Sequence, residues 1–115
     1  LESFVCSKEA FAPLVTIFPV KSFGEAVRKV NDSEFGLQAG VFTNNLEKAL
    51  VAFENIEAGG VVINDIPTYR IDHMPYGGVK ASGLGREGIK YAIEDMTEPR
   101  LMVFNRLESQ KVSLD

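Results

Sequence analysis

Apolar and polar positions follow two spacings along this chain, and together they predict alternating strands and helices. Near-continuous apolar runs, typical of strands covered on both faces, occupy residues 14–20, 39–42 and 61–63. Between these runs, apolar residues recur at intervals of three and four, which is the spacing of an amphipathic helix. A third helix is predicted over residues 85–96, and a fourth strand over residues 101–104.

Capping residues mark the starts of the first two predicted helices. Ser22 with Glu25, and Asn44 with Glu47, fit the capping box, in which a polar N-cap side chain and an acidic residue three positions later bond to backbone N–H groups. The apolar stripes that follow are Phe23, Ala26, Val27 and Val30 in the first helix and Leu46, Ala49, Leu50 and Phe53 in the second. Each stripe is the face expected to pack on the core.

Strands that alternate with helices of this length indicate an α/β fold, with parallel strands in a βαβαβ-type sheet. Gly59 and Gly60, after the second helix, are expected to take the positive φ that ends many helices. Both faces of a parallel sheet need cover, and three helices over four apolar strands leave one face thinly covered. We therefore expect the chain, which begins with Leu1, to be part of a larger folded body.

Three glycines in the spacing G-x-G-x-x-G suggest a dinucleotide site. They are Gly83, Gly85 and Gly88, and an acidic residue, Glu108, stands about twenty positions further on. In a Rossmann fold such glycines follow the first strand at once, so that the phosphate meets the start of the next helix. Here a long loop, residues 66–84, comes first. The favoured interpretation is a helix entry whose glycines allow close packing or a positive φ.

Composition excludes several classes of function. The 115 residues carry 16 acidic and 12 basic side chains, a formal net charge of -4, with no cluster of lysine and arginine, so nucleic acid is not expected as a partner. No apolar run approaches the ~20 residues of a membrane span, and no signal peptide is evident, so we predict a cytoplasmic protein with no membrane association. One cysteine and one histidine argue against an internal disulfide and a four-ligand zinc site, and no metal is expected.

Three segments carry a resemblance to one known family. The stretch Pro75-Tyr-Gly-Gly-Val-Lys-Ala-Ser-Gly-Leu-Gly-Arg-Glu-Gly88 closely resembles the signature near the C-terminus of the NAD(P)-dependent aldehyde dehydrogenase superfamily. Glu9-Ala-Phe-Ala-Pro13 is similar to the family's E-x-F-[GA]-P segment, and Gly59-Gly-Val-Val-Ile-Asn64 to its G-x-V-x-x-N strand. The resemblance implies that residues 1–98 are the C-terminal portion of the catalytic domain and residues 99–115 an oligomerisation strand and tail.

The family's chemistry needs residues that this chain does not show in the family's context. By resemblance, an aldehyde forms a thiohemiacetal on a cysteine, gives hydride to NAD(P), and leaves as a carboxylic acid after hydrolysis assisted by a glutamate. The family's nucleophile lies in a G-Q-x-C segment, whereas Cys6 lies in Phe-Val-Cys-Ser-Lys. A lone cysteine there is most often a packing residue, and a reactive pair with His73 is the alternative. The catalytic cysteine and glutamate are therefore expected outside this chain, which alone is expected to be inactive.

Glu9 and Phe11 are the predicted cofactor contacts. The resemblance implies that the Glu9 carboxylate accepts hydrogen bonds from the nicotinamide ribose hydroxyls and that Phe11 packs beside the nicotinamide ring. A surface glutamate and an ordinary core phenylalanine are the alternative. The cofactor would be NAD, or NADP, and a part of the enzyme outside this chain would bind most of it, so tight binding to this chain alone is not expected.

The loop after Asn64 is the predicted substrate contact. It falls where the family keeps its variable aldehyde-lining loop, and the candidates to face the aldehyde are Thr68, Tyr69, Arg70 and Tyr76. Arg70 either binds an anionic substrate group with its planar fork or is a rim charge. Asn64 either supports the active-site scaffold or starts a turn. Structural roles, namely loop bracing and a charge at a helix start, are assigned to Lys80, Arg86 and Glu87.

The last predicted strand, residues 101–104, resembles the family segment that pairs with a neighbouring subunit. An apolar edge strand left unpaired would promote aggregation, so a homo-oligomer is expected. Two functions stay open. The chain is either part of an NAD(P)-dependent aldehyde dehydrogenase, with the rest of the enzyme and an aldehyde as partners, or a non-catalytic α/β interaction module derived from that family.

Overall fold

The computed structural model describes residues 8–105, which contain three helices and four short strands. The helices are α1 (Phe23–Asn31), α2 (Leu46–Asn55) and α3 (Ile89–Met96), and the strands are β1 (Phe35–Gly36), β2 (Gln38–Val41), β3 (Gly60–Ile63) and β4 (Val79–Lys80). The longest helix, α2, has 10 residues. Within the described part of the chain, therefore, none of the helices could reach across a lipid bilayer.

Strands β2 and β3 form the parallel pair that the sequence predicts. Gln38 pairs with Gly60 and Val41 with Ile63, and α2 is the crossover that connects the two strands and packs on β3. This βαβ unit confirms an α/β arrangement, with the carboxyl ends of both strands at one edge.

A second sheet, formed by β1 and β4, was not predicted. The two strands are antiparallel, with Phe35 opposite Lys80 and Gly36 opposite Val79. Only Leu37 separates β1 from β2, so one stretch of chain serves both sheets. The prediction of a single βαβαβ sheet was therefore wrong, because the described residues form two sheets of two strands each.

The predicted strands at residues 14–20 and 101–104 pair with nothing in the described part of the chain. Both segments lie outside regular secondary structure, and their apolar side chains are open to solvent, with Ile17 86% and Phe104 86% exposed. A strand exists only where a second backbone completes its hydrogen-bond ladder. The apolar pattern of these segments is thus present without a partner, and residues 106–115 of the predicted tail lie outside the described residues.

The predicted N-cap of α1 is confirmed, and the predicted N-cap of α2 is wrong by one residue. The Ser22 hydroxyl accepts a hydrogen bond from the Glu25 backbone N–H at 3.1 Å, whereas the Glu25 carboxylate bonds to the N–H of Lys21 at 2.8 Å. Asn45, not Asn44, caps α2. Gly59 and Gly60 do not have the predicted positive φ, because α2 ends earlier, at Ile56 in extended conformation.

Helix α2 buries a different face from the one predicted. Ala52 is fully buried and Ile56 is 9% exposed, whereas Leu46 is 74% exposed and Phe53 69%. The two faces lie about a quarter of a turn apart on the helix. A sheet of two strands is too narrow to cover the predicted stripe, so a broad apolar surface stays open.

Lys80 joins α1, the segment after α2 and β4. Its Nζ donates to the carbonyl oxygens of Asn31 at 2.8 Å and Ser33 at 3.2 Å, and forms an ion pair with Glu57 at 2.6 Å. The Asn31 side chain in turn donates to the carbonyl of Asn55 and accepts from the N–H of Glu57. These contacts confirm the bracing role predicted for Lys80.

Lys80→Met is expected to lower the free energy of unfolding by about 1–3 kcal/mol, because the hydrogen-bonding groups around a side chain that is 24% exposed lose their partner. Chemical denaturation measures the change. Lys90→Met is the matched control, since Lys90 is 74% exposed and has one ion-pair partner at 3.9 Å. Equal losses in the two variants would contradict the prediction.

Candidate functional site

Asn64 ties together the carboxyl ends of the two parallel strands. It follows β3 with φ 61°. Its backbone N–H donates to the Val41 carbonyl at 2.8 Å, and its side-chain oxygen accepts from the Thr43 N–H at 2.7 Å. Ligands of open α/β sheets bind beyond this kind of edge. Asn64 therefore fixes the point from which the loop of residues 65–76 leaves the sheet.

The beginning of this loop folds back over β2. A Cβ atom at Gly40 would lie 2.7 Å from the Asp65 carbonyl oxygen and 3.2 Å from Pro67 Cδ, so the loop needs a glycine beneath it. The Tyr69 N–H donates to the Ile66 carbonyl at 3.2 Å and closes a turn. Thr68, Tyr69 and Arg70 are all exposed at or beyond this turn.

Gln38 supports the same loop, a role that no sequence motif indicates. Its side-chain nitrogen donates to the Tyr69 carbonyl at 3.4 Å. Its side-chain oxygen is buried, with no hydrogen-bond partner among the described residues. The available signal was an amide at the start of an otherwise apolar strand, directly before Ala39.

Arg70, Tyr76 and Glu87 form a cluster that the structure brings together. The Arg70 guanidinium carbon lies 4.5 Å from the centroid of the Tyr76 ring, and Arg70 Nη2 lies 3.0 Å from the Glu87 carboxylate. The predicted placement of Glu87 at a helix start is inaccurate, because Gly88 is the N-cap of α3 and Glu87 precedes it. The acidic side chain holds Arg70 instead.

The glycine-rich segment, residues 75–88, is closed into a loop. Tyr76 and Glu87 form an antiparallel bridge through reciprocal backbone hydrogen bonds of 3.1 and 2.6 Å. The predicted positive φ is confirmed at Gly83 (120°), Gly85 (72°) and Gly88 (116°). The predicted helix start at residue 85 is wrong, because these conformations delay α3 until Ile89.

Arg86 braces the inside of this loop, as predicted. Its Nη1 donates to the carbonyl oxygens of Gly78 at 3.0 Å and Gly85 at 2.8 Å. The Ser82 hydroxyl accepts from the Gly36 N–H at 2.8 Å and attaches the loop to β1. The segment is therefore held by its own side chains as well as by β4.

Glu9 and Phe11 lie apart from the loop, on an exposed N-terminal segment. Glu9 borders a cleft of ≈ 1240 Å³ between this segment and the α1 and β1 region, and Phe11 is 95% exposed. Among the described residues, no hydrogen bond or ion pair joins either of them to Asn64 or to residues 65–76. An exposed carboxylate and an exposed ring are nonetheless free to meet the hydroxyls and the flat ring of a nicotinamide riboside.

The remaining candidates form no catalytic cluster in the described chain. His73 borders a separate, mostly apolar cleft of ≈ 620 Å³ beside α3, while Cys6 lies outside the described residues. Over residues 8–105, no three His, Cys, Asp or Glu side chains come together as a metal site requires.

Comparison of the sequence with models of protein families shows which family the chain belongs to. The model described as the aldehyde dehydrogenase family matches residues 2–102. The chain belongs to this family. The matched region contains both ends of the site, from Glu9 to Glu87, so the aldehyde dehydrogenase family is the setting in which each candidate residue is interpreted.

Individual members of the aldehyde dehydrogenase family agree. The 3-sulfolactaldehyde dehydrogenase of Priestia aryabhattai is 56% identical over 101 residues, which are 88% of this chain and 21% of that protein. The structure of glyceraldehyde-3-phosphate dehydrogenase from Methanocaldococcus jannaschii, complexed with NADP, is 49% identical, with a TM-score of 0.75 over 80% of this chain and 20% of its own. A salicylaldehyde dehydrogenase from Pseudomonas putida, complexed with salicylaldehyde, is 34% identical, with a TM-score of 0.79 over 94% of this chain and 22% of its own. The chain thus spans 21% of the length of the curated relative.

Proposed function

We propose that the protein to which this chain belongs oxidises an aldehyde to a carboxylic acid with NAD or NADP. The observation that carries the proposal is the family match over residues 2–102, which includes the glycine-rich segment. In support, that segment and Asn64 hold a loop at the carboxyl edge of a parallel strand pair, where substrates of α/β enzymes bind. The catalytic cysteine and glutamate belong to parts of the enzyme outside this chain, which alone is inactive.

Glu9 and Phe11 contribute to cofactor binding in this proposal. The Glu9 carboxylate accepts hydrogen bonds from the ribose hydroxyls, and the exposed ring of Phe11 gives the nicotinamide an apolar wall. When bound, the cofactor accepts the hydride that leaves the aldehyde carbon. The relative from Methanocaldococcus jannaschii is complexed with NADP, which supports NADP as well as NAD.

Thr68, Tyr69, Arg70 and Tyr76 line the aldehyde in the same proposal. Two relatives are named for aldehydes that carry a sulfonate or a phosphate, and both groups are anions. Arg70 is the one cation among the four, and its planar fork suits such a group. We therefore place the anionic end of the substrate at Arg70.

The segment at residues 101–104 pairs with a second subunit in this proposal. Leu101 and Phe104 are each 86% exposed, and an apolar strand in that state is stable only when another edge covers it. Such pairing makes the enzyme a homo-oligomer.

The direct test compares the longer protein with residues 1–115 alone. The longer protein, supplied with succinic semialdehyde and NAD or NADP, is expected to produce reduced nicotinamide, measured by absorbance, and residues 1–115 are expected to produce none. Inactivity of the longer protein across anionic and neutral aldehydes with both cofactors would overturn the proposal and favour a non-catalytic module. Activity of residues 1–115 alone would overturn the placement of the catalytic cysteine.

A further inference from the structure

The head group of Arg70 is held by Tyr76, at the end of the same loop, and by Glu87, beyond it. Its guanidinium stacks on Tyr76 at 4.5 Å and pairs with Glu87 at 3.0 Å. Tyr76 and Glu87 are themselves joined by the two backbone hydrogen bonds that close the glycine-rich loop. The position of the guanidinium is therefore set by that closed loop as well as by the backbone of Arg70.

The ion pair leaves part of the guanidinium available. Arg70 has five N–H donors, and its side chain is 46% exposed. Among the described hydrogen bonds none joins an Arg70 N–H group to Tyr76, so the contact with the ring leaves those donors available to an anion. One carboxylate contact through Nη2 likewise leaves the other N–H groups free to bind a second anion.

Glu87 also restricts the loop through Arg70. An exposed ion pair by itself contributes little to stability, about 0–1 kcal/mol. Here it acts together with the contact between Arg70 and Tyr76 inside the loop. The ion pair joins the loop of residues 65–76 to Glu87, the residue directly before the α3 cap. Removal of the carboxylate leaves Arg70 with many rotamers and leaves the middle of the loop with one tie fewer.

We propose that Glu87 is a positioning residue for anionic substrates: it holds the Arg70 guanidinium on Tyr76, in the place from which the free N–H groups bind the anionic end of the aldehyde. The inference rests on the proposed function. On this proposal, Glu87 affects the binding of charged aldehydes. The binding of neutral aldehydes and the rate of the chemical step do not depend on it.

The test uses the longer protein with Glu87→Gln, which removes the charge and keeps the shape. The KM for succinic semialdehyde is expected to rise about threefold to fivefold, while the KM for propanal and both kcat values stay within about twofold. Glu87→Asp keeps the charge and is expected to recover part of the loss. Glu94→Gln is the matched control, because Glu94 borders the same cleft as His73 of the loop but forms its exposed ion pair within α3, with Lys90 at 3.9 Å.

Amide hydrogen exchange of residues 66–74 gives a second readout that needs no activity. Exchange in Glu87→Gln is expected to be about threefold to fivefold faster than in Glu94→Gln, which corresponds to the upper end of the stability that one exposed ion pair contributes. Equal exchange in the two variants would overturn the proposed hold on Arg70, whatever the kinetics. Faster exchange with an equal rise in KM for both aldehydes would overturn positioning and leave a structural role. If the wild-type protein oxidises no aldehyde, the proposed function fails, and the exchange rates alone decide whether Glu87 holds the loop.

Discussion

Gly59→Ala is expected to destabilise the longer protein strongly, lowering its soluble yield and its thermal unfolding midpoint. A Cβ atom at residue 59 would collide with the Gly77 carbonyl oxygen and lie 3.0 Å from the Cα of Gly78. Both neighbours are backbone, which cannot rotate away as the end of a flexible side chain can. The backbone before β3 and the start of the glycine-rich segment would have to separate, at a cost of about 3 kcal/mol or more.

The separation would also break hydrogen bonds that join the two sheets. The Gly59 N–H donates to the Gly36 carbonyl at 3.0 Å, and the Gly60 N–H donates to the Leu37 carbonyl at 3.2 Å. The measurement is the yield of soluble protein and its thermal unfolding midpoint. Gly24→Ala is the matched control, because Gly24 lies in α1, where a new Cβ would meet only Arg28 Nη1, at 3.6 Å. A soluble Gly59→Ala protein with an unchanged midpoint would contradict the expectation.

Glu9→Gln is expected to reduce kcat/KM for NAD or NADP about tenfold to a hundredfold in the longer protein, the range that corresponds to losing hydrogen bonds to a charged acceptor. The amide keeps the shape of the side chain but replaces one acceptor oxygen with a donor. In the proposed binding mode, the two ribose hydroxyls then lack one of their acceptors. Steady-state kinetics at saturating aldehyde measures the change.

Glu34→Gln is the control for this variant. Glu34 borders the same cleft as Glu9, and its carboxylate forms an exposed ion pair with Lys8 at 3.7 Å. Its replacement is expected to alter kcat/KM by no more than about twofold. If Glu9→Gln matches the wild type while the enzyme is active, Glu9 is a surface residue and does not contact the cofactor.

Local signals predicted the parts of the fold that local chemistry determines. The Ser22 cap depends on residues three positions apart, and the β2–α2–β3 unit depends on an apolar spacing carried by one stretch of chain. The strands predicted at residues 14–20 and 101–104 are not formed among residues 8–105, for the opposite reason. Their sequences are suitable for strands, but the second backbone that completes a strand is not among residues 8–105.

The sequence predicted several residues of the site but few of the contacts between them. Motif similarity pointed to Arg70 and Tyr76, and the structure brings these two together. Motif similarity could not show that Glu87 pairs with Arg70, because that contact depends on the direction that three glycines with positive φ give to the chain. The role of Gln38 could not be predicted, because a single amide in a strand has no sequence pattern of its own.

The loop of residues 65–76 is anchored at both ends, so its length can change in evolution without disturbing the rest of the fold. Asn64 anchors its beginning to the sheet, and the bridge between Tyr76 and Glu87 anchors its end. Residues inserted between the two anchors would add mainly chain entropy, and doubling a loop costs only about 0.6 kcal/mol. Descendants of this protein can therefore diversify the length and chemistry of the loop to accept new ligands while they inherit the sheet and the glycine-rich segment unchanged.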